Sequence, residues 1–269
     1  MISGSIVLYK NDRKILLKAI NSFLNSSVAK KLYLIDNSPT DELKDIKVDE
    51  KVEYIFNPSN PGFGAAHNIA IQKSLESNLK YHFVVNPDTY FSQDVITPMI
   101  VFMENNIEVG MMMPQILNDD GTEQNLPKLL PSPFSILLRK LKKPDFIYRS
   151  FINKYELRNV PNGQIYEAPI LSGCFTLLNL EAVKRVGAYD DRFFMYFEDW
   201  DLSRRIHQKF KTIYFPKVSV YHGYEAGANK SKKLFRIFLN SALHYFNKWG
   251  WFFDSERNKI NKKTLDQFK

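Results

Sequence analysis

Residues 5–36 decide the predicted fold, and they run SIVLYKNDRKILLKAINSFLNSSVAKKLYLID. A short apolar run opens this stretch at 5–9, and another closes it at 31–35. Between them, apolar side chains recur at helical spacing, at Ile15, Leu16, Ala19, Ile20 and Phe23. Asp12 precedes this amphipathic segment and can cap the helix. The stretch therefore predicts a strand, a helix and a second strand, the repeating unit of a parallel sheet.

The same alternation continues outward from this unit. Further strands are predicted at 52–56, 81–85 and 109–113, with helices at about 65–75 and 95–105. The pattern predicts an α/β protein with a single Rossmann-like, mainly parallel sheet flanked by helices. Repeated prolines interrupt residues 114–168, where we expect loops and short helices.

The carboxyl-terminal part of the chain resumes a regular pattern. It predicts a strand at 170–178, helices at about 180–186 and from Glu198, short strands at 212–215 and 218–221 around Pro216, and a helix at 231–249. No linker or repeat divides the chain. Residues 1–113 and 114–230 are therefore expected to be two halves of one domain with a shared core, and residues 231–269 a helical extension.

The composition is that of a globular protein, and it limits the partners. Of the 269 residues, 44% are hydrophobic and 25% are charged, which excludes a disordered or fibrous chain. The single cysteine, Cys174, excludes a disulfide framework; it suits a cytoplasmic location and is expected to be a buried core thiol. We expect neither a membrane span nor export, because no long apolar run or signal-peptide pattern is present. An excess of 37 basic over 29 acidic side chains gives a net charge of +8, which favours anionic partners.

Polar residues stop three of the predicted strands. Tyr9 follows the first strand, Asp36 ends the second, and Asn86-Pro87-Asp88 ends the fourth. Ligands of open α/β sheets bind beyond the carboxyl ends of the strands, where a carboxylate can accept from a base or ribose or hold a divalent ion on a diphosphate. The alternative for Asp36 and Asp88 is an Asx turn, which is the commoner role of either residue alone.

A loop with two glycines precedes the helix predicted at 65–75. Gly62 and Gly64 lie in the segment NPGFGAAHN at 60–68, and they would allow a ligand to approach the backbone near a helix N-terminus. The segment is neither a Walker loop nor a G-x-G-x-x-G motif. The alternative is an ordinary loop before a capped helix, with His67 at the surface.

The densest polar cluster is the segment FFMYFEDWDLSRR at 193–205. Glu198, Asp199 and Asp201 open a predicted helix, whose dipole stabilises them as anions. Helix capping would explain the acids, but it does not call for the aromatic side chains, which could form the wall of a pocket around a carboxylate base. His222, after a short strand, is a candidate metal ligand beside carboxylates.

The order of these motifs resembles that of the family-2 glycosyltransferases of the GT-A fold, especially bacterial rhamnosyltransferase-like members of surface polysaccharide pathways. The resemblance covers roughly the first 230 residues. It rests on SIVLY at 5–9, LIDNS at 34–38, NPGFG at 60–64 through Asn68, VNPD at 85–88, SGCF at 172–175 with GAYD at 187–190, and YFEDWDL at 196–202. The shared order and spacing make the combination specific.

The resemblance implies roles for particular residues. Asp199 would be the catalytic base, with Glu198 as the runner-up, and Asp88 and His222 would bind Mg²⁺ or Mn²⁺ on the donor diphosphate. Asp36 would contact the donor nucleoside. The nucleotide-sugar site as a whole would comprise Leu8, Tyr9, Asp36, Asn37, Asn60, Gly62, Asn68, Asn86, Pro87 and Asp88. The acceptor site would comprise Ser172, Gly173, Tyr196 and Trp200.

The sequence departs from the family pattern at two points. Asn86 replaces the first acid of the D-x-D metal motif, so fewer charges would hold the ion, or Asn86 would bond the ligand itself. The Q-x-x-R-W motif of processive synthases is absent, which favours addition of one sugar or a few. The implied reaction is an inverting single displacement onto a glycan or lipid-linked acceptor in surface polysaccharide synthesis. The expected donor is dTDP-rhamnose, with UDP-hexoses next.

Two other functional classes stay open. A nucleotidyltransferase would share the sheet and the metal-bound phosphates, but it would release pyrophosphate from a nucleoside triphosphate. A basic nucleic-acid-binding protein would explain the net charge. No base-reading motif accompanies that charge, however, so we expect no nucleic-acid partner.

Basic and aromatic side chains concentrate near the carboxyl end. Two acids, Asp254 and Glu256, accompany nine basic residues there: Lys230, Lys232, Lys233, Arg236, Lys248, Arg257, Lys259, Lys262 and Lys263. We expect Phe235, Phe238 and Leu239 to pack on the core. Trp251–Phe253 suit the headgroup region of an anionic leaflet, so we expect peripheral binding at the inner face of the cell membrane. A homodimer contact is the alternative role for this segment.

Overall fold

The computed structural model describes residues 2–46, 49–223 and 231–269. These residues form one sheet with the strand order β3-β2-β1-β4-β8-β6-β9-β5, and β7 pairs with β9. The strands are β1 Ile2–Leu8, β2 Ala29–Asp36, β3 Val52–Phe56, β4 Tyr81–Val85, β5 Thr89–Tyr90, β6 Val109–Leu117, β7 Tyr166–Glu167, β8 Phe175–Asn179 and β9 Lys211–His222.

Helices cover the sheet and extend past it at the carboxyl end. They are α1 Arg13–Leu24, α2 Phe63–Glu76, α3 Ile96–Asn105, α4 Pro133–Leu141, α5 Asp145–Tyr155, α6 Leu180–Val186, α7 Glu198–His207, α8 Lys232–Trp249 and α9 Ser255–Asp266. In the part of the chain that the structure describes, none of them has the length and apolar composition needed to cross a bilayer.

The amino-terminal strands are parallel, as the alternation of short apolar runs and helices predicts. Ile6 of β1 lies between Leu34 of β2 and Val85 of β4, so the carboxyl ends of three strands meet at one edge. All five residues of β4 are buried, as expected for a strand covered by helices on both faces. This edge carries the polar residues that end the strands.

The sheet becomes mixed in its second half because β8 runs antiparallel between β4 and β6. Strand β9 then pairs parallel with β6 and antiparallel with β5. The α/β prediction with helices on the sheet is confirmed, and the parallel pairing holds for β1 to β4 and for β6 with β9. One hydrophobic core draws residues from both halves, from Ile2 to Val220.

Several elements differ from their predicted bounds. The strands predicted at 212–215 and 218–221 form one strand, β9, with Pro216 accommodated where the register with β6 shifts; proline lacks the N–H that a regular ladder requires. The strand predicted at 170–178 begins only at Phe175. Helix α9 lies within the segment predicted to be helical, but its bounds were not predicted, since its sequence SERNKINKKTLD carries little apolar periodicity.

Buried ion pairs attach the carboxyl-terminal helices to α7. Arg204 is 1% exposed, and its guanidinium lies 2.9 Å from a carboxylate oxygen of Asp254, which caps α9. Asp201 is fully buried and accepts from the indole of Trp249 at 2.8 Å. Residues 224–230, including the predicted boundary at 230 and Lys230, lie outside the described residues.

Candidate active site

The carboxyl ends of β1 and β2 bring the first predicted donor residues together. The Asn37 backbone N–H donates to the Leu8 carbonyl at 2.9 Å, which continues the β1–β2 pairing beyond the strands. Tyr9, directly after β1, is exposed, whereas Leu8 is buried. The Asn37 side chain accepts from the amide of Asn57 at 2.9 Å, so the turns after β2 and β3 are also joined.

Asp36 is fully buried at this edge. One carboxylate oxygen accepts from the backbone N–H of Ser38 at 2.9 Å, and the other accepts from the Tyr54 hydroxyl at 2.6 Å. Burial and the neighbouring carboxylate raise the pKa of Tyr54, which keeps its hydroxyl a donor. Asp36 therefore forms the Asx turn that the sequence left open, and its direct contact with a nucleoside stays a prediction.

The glycine loop contacts the segment that precedes α7. A Cβ on Gly62 would lie 2.2 Å from the Phe194 carbonyl oxygen, and one on Gly64 would lie 2.8 Å from the Cβ of Tyr189. The Phe63 N–H donates to the same Phe194 carbonyl at 2.8 Å. The missing side chains of the two glycines therefore admit this segment, and a contact of Gly62 with the donor stays a prediction.

Two polar residues of α2 also serve the protein's own packing. The Asn68 amide donates to the Tyr189 carbonyl and to Asp191, and its oxygen accepts from the Tyr189 N–H at 3.0 Å. We therefore leave Asn68 out of the proposed donor site. His67 is buried rather than at the surface, and its Nδ1 lies 2.7 Å from the Ser5 hydroxyl. Burial lowers the pKa of His67, so this imidazole is neutral.

Asn86, Asp88 and His222 lie together at the carboxyl end of β4. Antiparallel pairing of β5 with β9 places His222 opposite Thr89. The imidazole Nε2 of His222 is then 3.4 Å from an Asp88 carboxylate oxygen and 3.2 Å from the Asn86 amide nitrogen. On its other side, His222 Nδ1 lies 3.0 Å from the Gln124 side-chain oxygen.

This group fits a divalent cation. If Nδ1 donates to Gln124, Nε2 is the unprotonated nitrogen, as in a histidine that binds a metal. Nε2 then accepts from the Asn86 amide and lies beside the Asp88 carboxylate, so a bound ion would replace the Asn86 bond. The Asn86 side-chain oxygen is buried, and within the described residues it has no hydrogen-bond partner. Among the residues that the structure describes, no group of three or more His, Cys, Asp or Glu side chains is placed so that it could hold a metal ion. The protein would thus supply two strong ligands and leave positions for donor phosphate oxygens.

Asp199 lies in the first turn of α7 and faces the segment before β8. Its two carboxylate oxygens accept from the backbone N–H groups of Gly173 at 3.1 Å and Trp200 at 2.9 Å. Tyr196 and Phe197, directly before the helix, have φ values of 70° and 66°, which non-glycine residues rarely adopt. Such strain concentrates at sites that need a fixed backbone. In this protein the strained backbone of Tyr196 and Phe197 leads directly into Glu198 and Asp199.

The two adjacent acids have different surroundings. Glu198 is 5% exposed, and burial together with the charge of Asp199 raises its pKa well above the usual range. Asp199 is half-buried, and burial raises its pKa to about 6. Of the two acids, the more exposed Asp199 therefore ionises first as pH rises.

Lys128 is a residue that the sequence interpretation missed. It is 5% exposed and its ammonium donates to the Leu126 carbonyl at 2.8 Å, while burial lowers its pKa to about 8. Its positive charge lowers the pKa of Asp199. The pattern that could have identified it is a single lysine within the apolar run LPKLLP at 126–131.

Residues 172–174 join the two parts of the site. The Gly173 N–H donates to the Asp199 carboxylate, and the carbonyl of the next residue, Cys174, accepts from the Asn86 N–H at 2.7 Å. Cys174 is buried with its pKa raised to about 12 by burial, as expected for a core thiol. Ser172 is half-buried next to it. Residues 172–174 are therefore hydrogen-bonded both to the predicted base and to the segment that leads to Asp88.

The predicted acceptor residues of the α7 segment are aromatic and lie under α8. Trp200 packs edge-on against Phe197 with ring centroids 4.6 Å apart, and Tyr196 packs against Phe238 at 5.8 Å. The Ser241 hydroxyl of α8 donates to the Met195 carbonyl at 2.8 Å. Helix α8 thus supports the backbone that precedes the two acids.

Comparison with known proteins identifies a family for most of the chain. The sequence model for "Glycosyl transferase family 2" matches residues 5–187, which include most of β1, the turns after β1, β2 and β4 and the Gly173 segment, and which end before Asp199. The chain belongs to glycosyl transferase family 2. The family expectation drawn from the motif order is confirmed.

Curated relatives of this glycosyltransferase are distant. The "Low-salt glycan biosynthesis hexosyltransferase Agl10" of Haloferax volcanii is 22% identical, over 99% of this chain and 78% of the relative. The "N-acetylglucosaminyl-diphospho-decaprenol L-rhamnosyltransferase" of Mycobacterium tuberculosis is 25% identical, over 70% of this chain and 65% of the relative. The "Rhamnosyltransferase WbbL" of Escherichia coli is 27% identical, over 68% of this chain and 69% of the relative.

Solved structures agree on the GT-A fold of this glycosyltransferase. GalNAc-T7, solved with UDP, GalNAc and Mn²⁺, superimposes with a TM-score of 0.63 at 16% identity over 93% of this chain. S. aureus TarS superimposes with a TM-score of 0.61 at 12% identity over 99% of this chain. The chain spans half the length of the GalNAc-T7 chain and 43% of the TarS chain.

Proposed function

We propose that this glycosyltransferase moves one sugar, with inversion, from a nucleoside diphosphate sugar to an acceptor hydroxyl, and that Asp199 is the base. The observation that carries the proposal is the position of the Asp199 carboxylate, held by the Gly173 N–H at 3.1 Å beside the backbone that leads to Asn86. Asp199 would take the acceptor proton while that oxygen attacks the anomeric carbon and the diphosphate leaves. Burial and the charge of Asp199 raise the pKa of Glu198, and Glu198 has almost no exposed surface, which disfavours it as the base.

Asp88 and His222 would hold a divalent ion, Mg²⁺ or Mn²⁺, at the donor diphosphate. Such an ion neutralises negative charge on the departing phosphate oxygens. Asn86 and Pro87, between β4 and Asp88, would position the donor next to this pair, and Leu8, Tyr9, Asn37 and Asn60 would line the neighbouring turns. The 3.4 Å approach of Asp88 to His222 supports this assignment.

Asp88→Ala should weaken binding of a nucleoside diphosphate chiefly when a divalent metal is present. We expect a loss of about tenfold with Mn²⁺ and little change in EDTA, because the contribution of Asp88 is ion-mediated. His222→Ala should show a smaller loss of the same kind. Isothermal titration with UDP and dTDP measures both, and Asp266→Ala, an exposed aspartate of α9, is the matched control. An equal loss in EDTA would contradict the metal role.

We propose Lys128 as a positioning residue that lowers the pH at which Asp199 ionises. The value of kcat/KM should rise with pH through about 6, as Asp199 loses its proton, and stay level above that, because Asp199 is then ionised whether or not Lys128 carries its proton. Lys128→Met removes the charge that lowers the pKa of Asp199, so the acid limb should move upward by about half a unit or more. A pH–rate profile measures this shift.

Two further variants make the Lys128 prediction specific. Lys128→Arg keeps the charge and should keep the wild-type acid limb. Lys80→Met, at the amino-terminal end of β4, removes a lysine elsewhere and should leave the profile unchanged. A Lys128→Met enzyme that is folded by circular dichroism and has an unmoved acid limb would remove Lys128 from this role.

The donor and acceptor are proposed by analogy with the named relatives. Two of them are rhamnosyltransferases and one is a hexosyltransferase, which supports dTDP-rhamnose first and a UDP-hexose second. The acceptor named in the mycobacterial relative is lipid-linked, which supports a lipid-linked or glycan acceptor in surface polysaccharide synthesis. A thermal-shift panel of dTDP, UDP and GDP with and without Mn²⁺ would select the nucleotide.

The reaction products separate sugar transfer from the nucleotidyltransferase alternative. Transfer from the selected donor should release a nucleoside diphosphate and give a product of inverted anomeric configuration by NMR. Release of pyrophosphate from a nucleoside triphosphate would instead support nucleotidyl transfer. Retention of configuration would contradict a single displacement with Asp199 as the base.

A further inference from the structure

Helix α4 has apolar side chains on two sides. Leu138 is buried against the protein, whereas Phe134, Leu137 and Leu141 are exposed, at spacings of three and four residues. Phe134 alone is 61% exposed. These three side chains form a stripe along the solvent side of the helix, where a helix of a globular protein is ordinarily polar.

Helix α8 repeats this arrangement. Ala242 and Tyr245 are buried over the α7 segment, and Phe235, Leu239 and Leu243 form an exposed stripe at intervals of four residues. The prediction that Phe235 and Leu239 pack on the core is therefore wrong. Tyr245 and Phe246, in the carboxyl-terminal half of the helix, are buried instead, in one cluster with Phe193 and Phe197.

The loop after α8 presents two phenylalanines in an ordered backbone. Phe252 and Phe253 are 75% and 100% exposed. The buried guanidinium of Arg257 donates to the carbonyls of Trp251 at 3.4 Å and Phe252 at 3.2 Å, and Asp254 accepts from the Arg257 N–H at 2.8 Å. The protein thus orders this loop while leaving the side chains of Phe252 and Phe253 in water.

The two helices and the loop adjoin one another. The ammonium of Lys140, near the end of α4, lies 4.7 Å from the ring centroid of Phe235 in α8. Arg257, which holds the loop, also donates to the carbonyl of Pro131, two residues before α4, at 3.4 Å. The three segments therefore form one surface, the α4–α8 face.

Positive charge borders this face. Five basic side chains lie at the border: Lys142, Lys143, Lys232, Lys233 and Arg236. Within the described residues, none of the five has a carboxylate oxygen within 4.0 Å of its charged nitrogen atoms. Lys232 and Lys233 occupy the first turn of α8, which contains no acid, although the helix dipole disfavours cations there. Such a departure from local preference without a compensating contact is typical of a functional surface.

Two of the residues counted as basic in the sequence do not belong to the face. Lys248 pairs with Asp190 at 2.9 Å and Asp201 at 2.7 Å, and Arg257 is buried. The carboxyl-terminal segment therefore contributes less positive charge to the face than its sequence suggests. Lys142 and Lys143, which follow α4 in the chain, contribute further positive charge to the face.

We infer that the α4–α8 face docks on an anionic lipid bilayer. Exposed phenylalanine and leucine side chains bordered by lysine and arginine match the apolar and anionic layers of a membrane surface. Each basic side chain near such a surface adds to the attraction by the anionic lipids. A second copy of the chain fits less well, because a two-fold contact would place the same unpaired cations against one another.

Vesicle sedimentation of the full-length protein tests this inference without any sugar transfer. Wild type should sediment with vesicles of phosphatidylcholine and phosphatidylglycerol, progressively less as NaCl is raised, and weakly with phosphatidylcholine alone. Phe252→Ser with Phe253→Ser should lower the partition coefficient about tenfold, and Lys232→Gln with Lys233→Gln should lower it by a similar factor. Deletion after Gly250 is less informative, because it would remove Asp254, the partner of Arg204.

The opposite end of β4 provides matched controls. Ile107, Lys80 and Lys184 line a pocket there, and Ile107 is 84% exposed. Ile107→Ser, and Lys80→Gln with Lys184→Gln, should leave vesicle binding unchanged. Circular dichroism and nucleotide binding verify that each variant is folded.

Equal sedimentation with neutral and anionic vesicles would overturn the inference, as would variants of the face that bind like wild type. So would a wild-type dimer in sedimentation equilibrium that depends on Phe252 and Phe253 and does not bind vesicles. None of these outcomes bears on Asp199, so failure here and failure of the proposed reaction are distinguishable.

Discussion

Asp199→Asn is expected to lower kcat by about 10²- to 10⁴-fold, the usual contribution of a positioned general base. The amide cannot take the acceptor proton, whereas the Asp88–His222 pair that would serve the donor is untouched. Donor affinity should therefore stay within about twofold of wild type, since the base acts on the acceptor and not on the nucleotide. Turnover paired with calorimetry of the donor nucleotide measures both quantities. Wild-type turnover in this variant would remove Asp199 from the role.

Glu198→Gln is the matched control for that experiment. Burial raises the pKa of Glu198 well above the usual range, and glutamine resembles a protonated glutamate in shape and charge, so we expect a loss of less than about tenfold. The reverse result, a large loss for Glu198→Gln and a small one for Asp199→Asn, would identify Glu198 as the base.

Folding of the Asp199→Asn variant can be checked through the pH dependence of stability. The pKa of Asp199 is higher in the folded protein than its usual value of 3.8, so ionisation of Asp199 costs stability as pH rises from about 4 through 6. Asparagine removes this cost but keeps only one of the two bonds that the carboxylate accepts. We therefore expect the variant to be about as stable as wild type at pH 8, which excludes unfolding as the cause of lost turnover.

Arg204→Met is expected to lower the free energy of unfolding by about 3–5 kcal/mol, because it leaves a carboxylate without its main partner in a buried position. Arg204 pairs with Asp254 and lies 4.2 Å above the Trp249 ring, so it attaches both α8 and α9 to α7. Urea unfolding measures the loss. Activity should fall as well, because α8 supports the backbone before Asp199 through Ser241 and Met195.

Two comparisons make the Arg204 prediction specific. Arg149→Met breaks an exposed pair with Asp145 and should cost less than about 0.5 kcal/mol. The double variant Arg204→Met with Asp254→Asn should recover part of the loss, since the buried carboxylate is then gone. An Arg204→Met protein as stable as Arg149→Met would contradict this anchoring role.

The local pattern of the chain was enough to predict much of the sheet. Strands β1 to β4 are short apolar runs separated by amphipathic helices or turn residues, and periods of 2 and 3.6 residues are properties of the sequence alone. The turn residues after these strands were predictable for the same reason. Because parallel strands end at a common edge, the side chains after β1, β2 and β4 had to lie near one another.

The distinction between Glu198 and Asp199 could not be made from sequence. Both lie in the first turn of α7, and only the direction of that helix buries one carboxyl and leaves the other beside Gly173 N–H. The burial of Lys128 also depends on a contact that is distant in sequence, since its backbone pairs with that of Ile170, 42 residues further along the chain. A pKa depends on the surroundings of a group in space, and neither contact is local in sequence.

Sequence by itself determined the α/β class, the family and the presence of acids at the start of α7, because these depend on residue types and their order along the chain. Tertiary structure alone decided which residues the glycines at 62 and 64 approach, which acid is ionised, and which face of α8 is exposed. Helix α8 is amphipathic with aromatic residues on both sides, so its periodicity identifies a helix but not the side that packs. That choice depends on contacts with Phe193 and Phe197, which are about 50 residues away in the chain and adjacent only after folding.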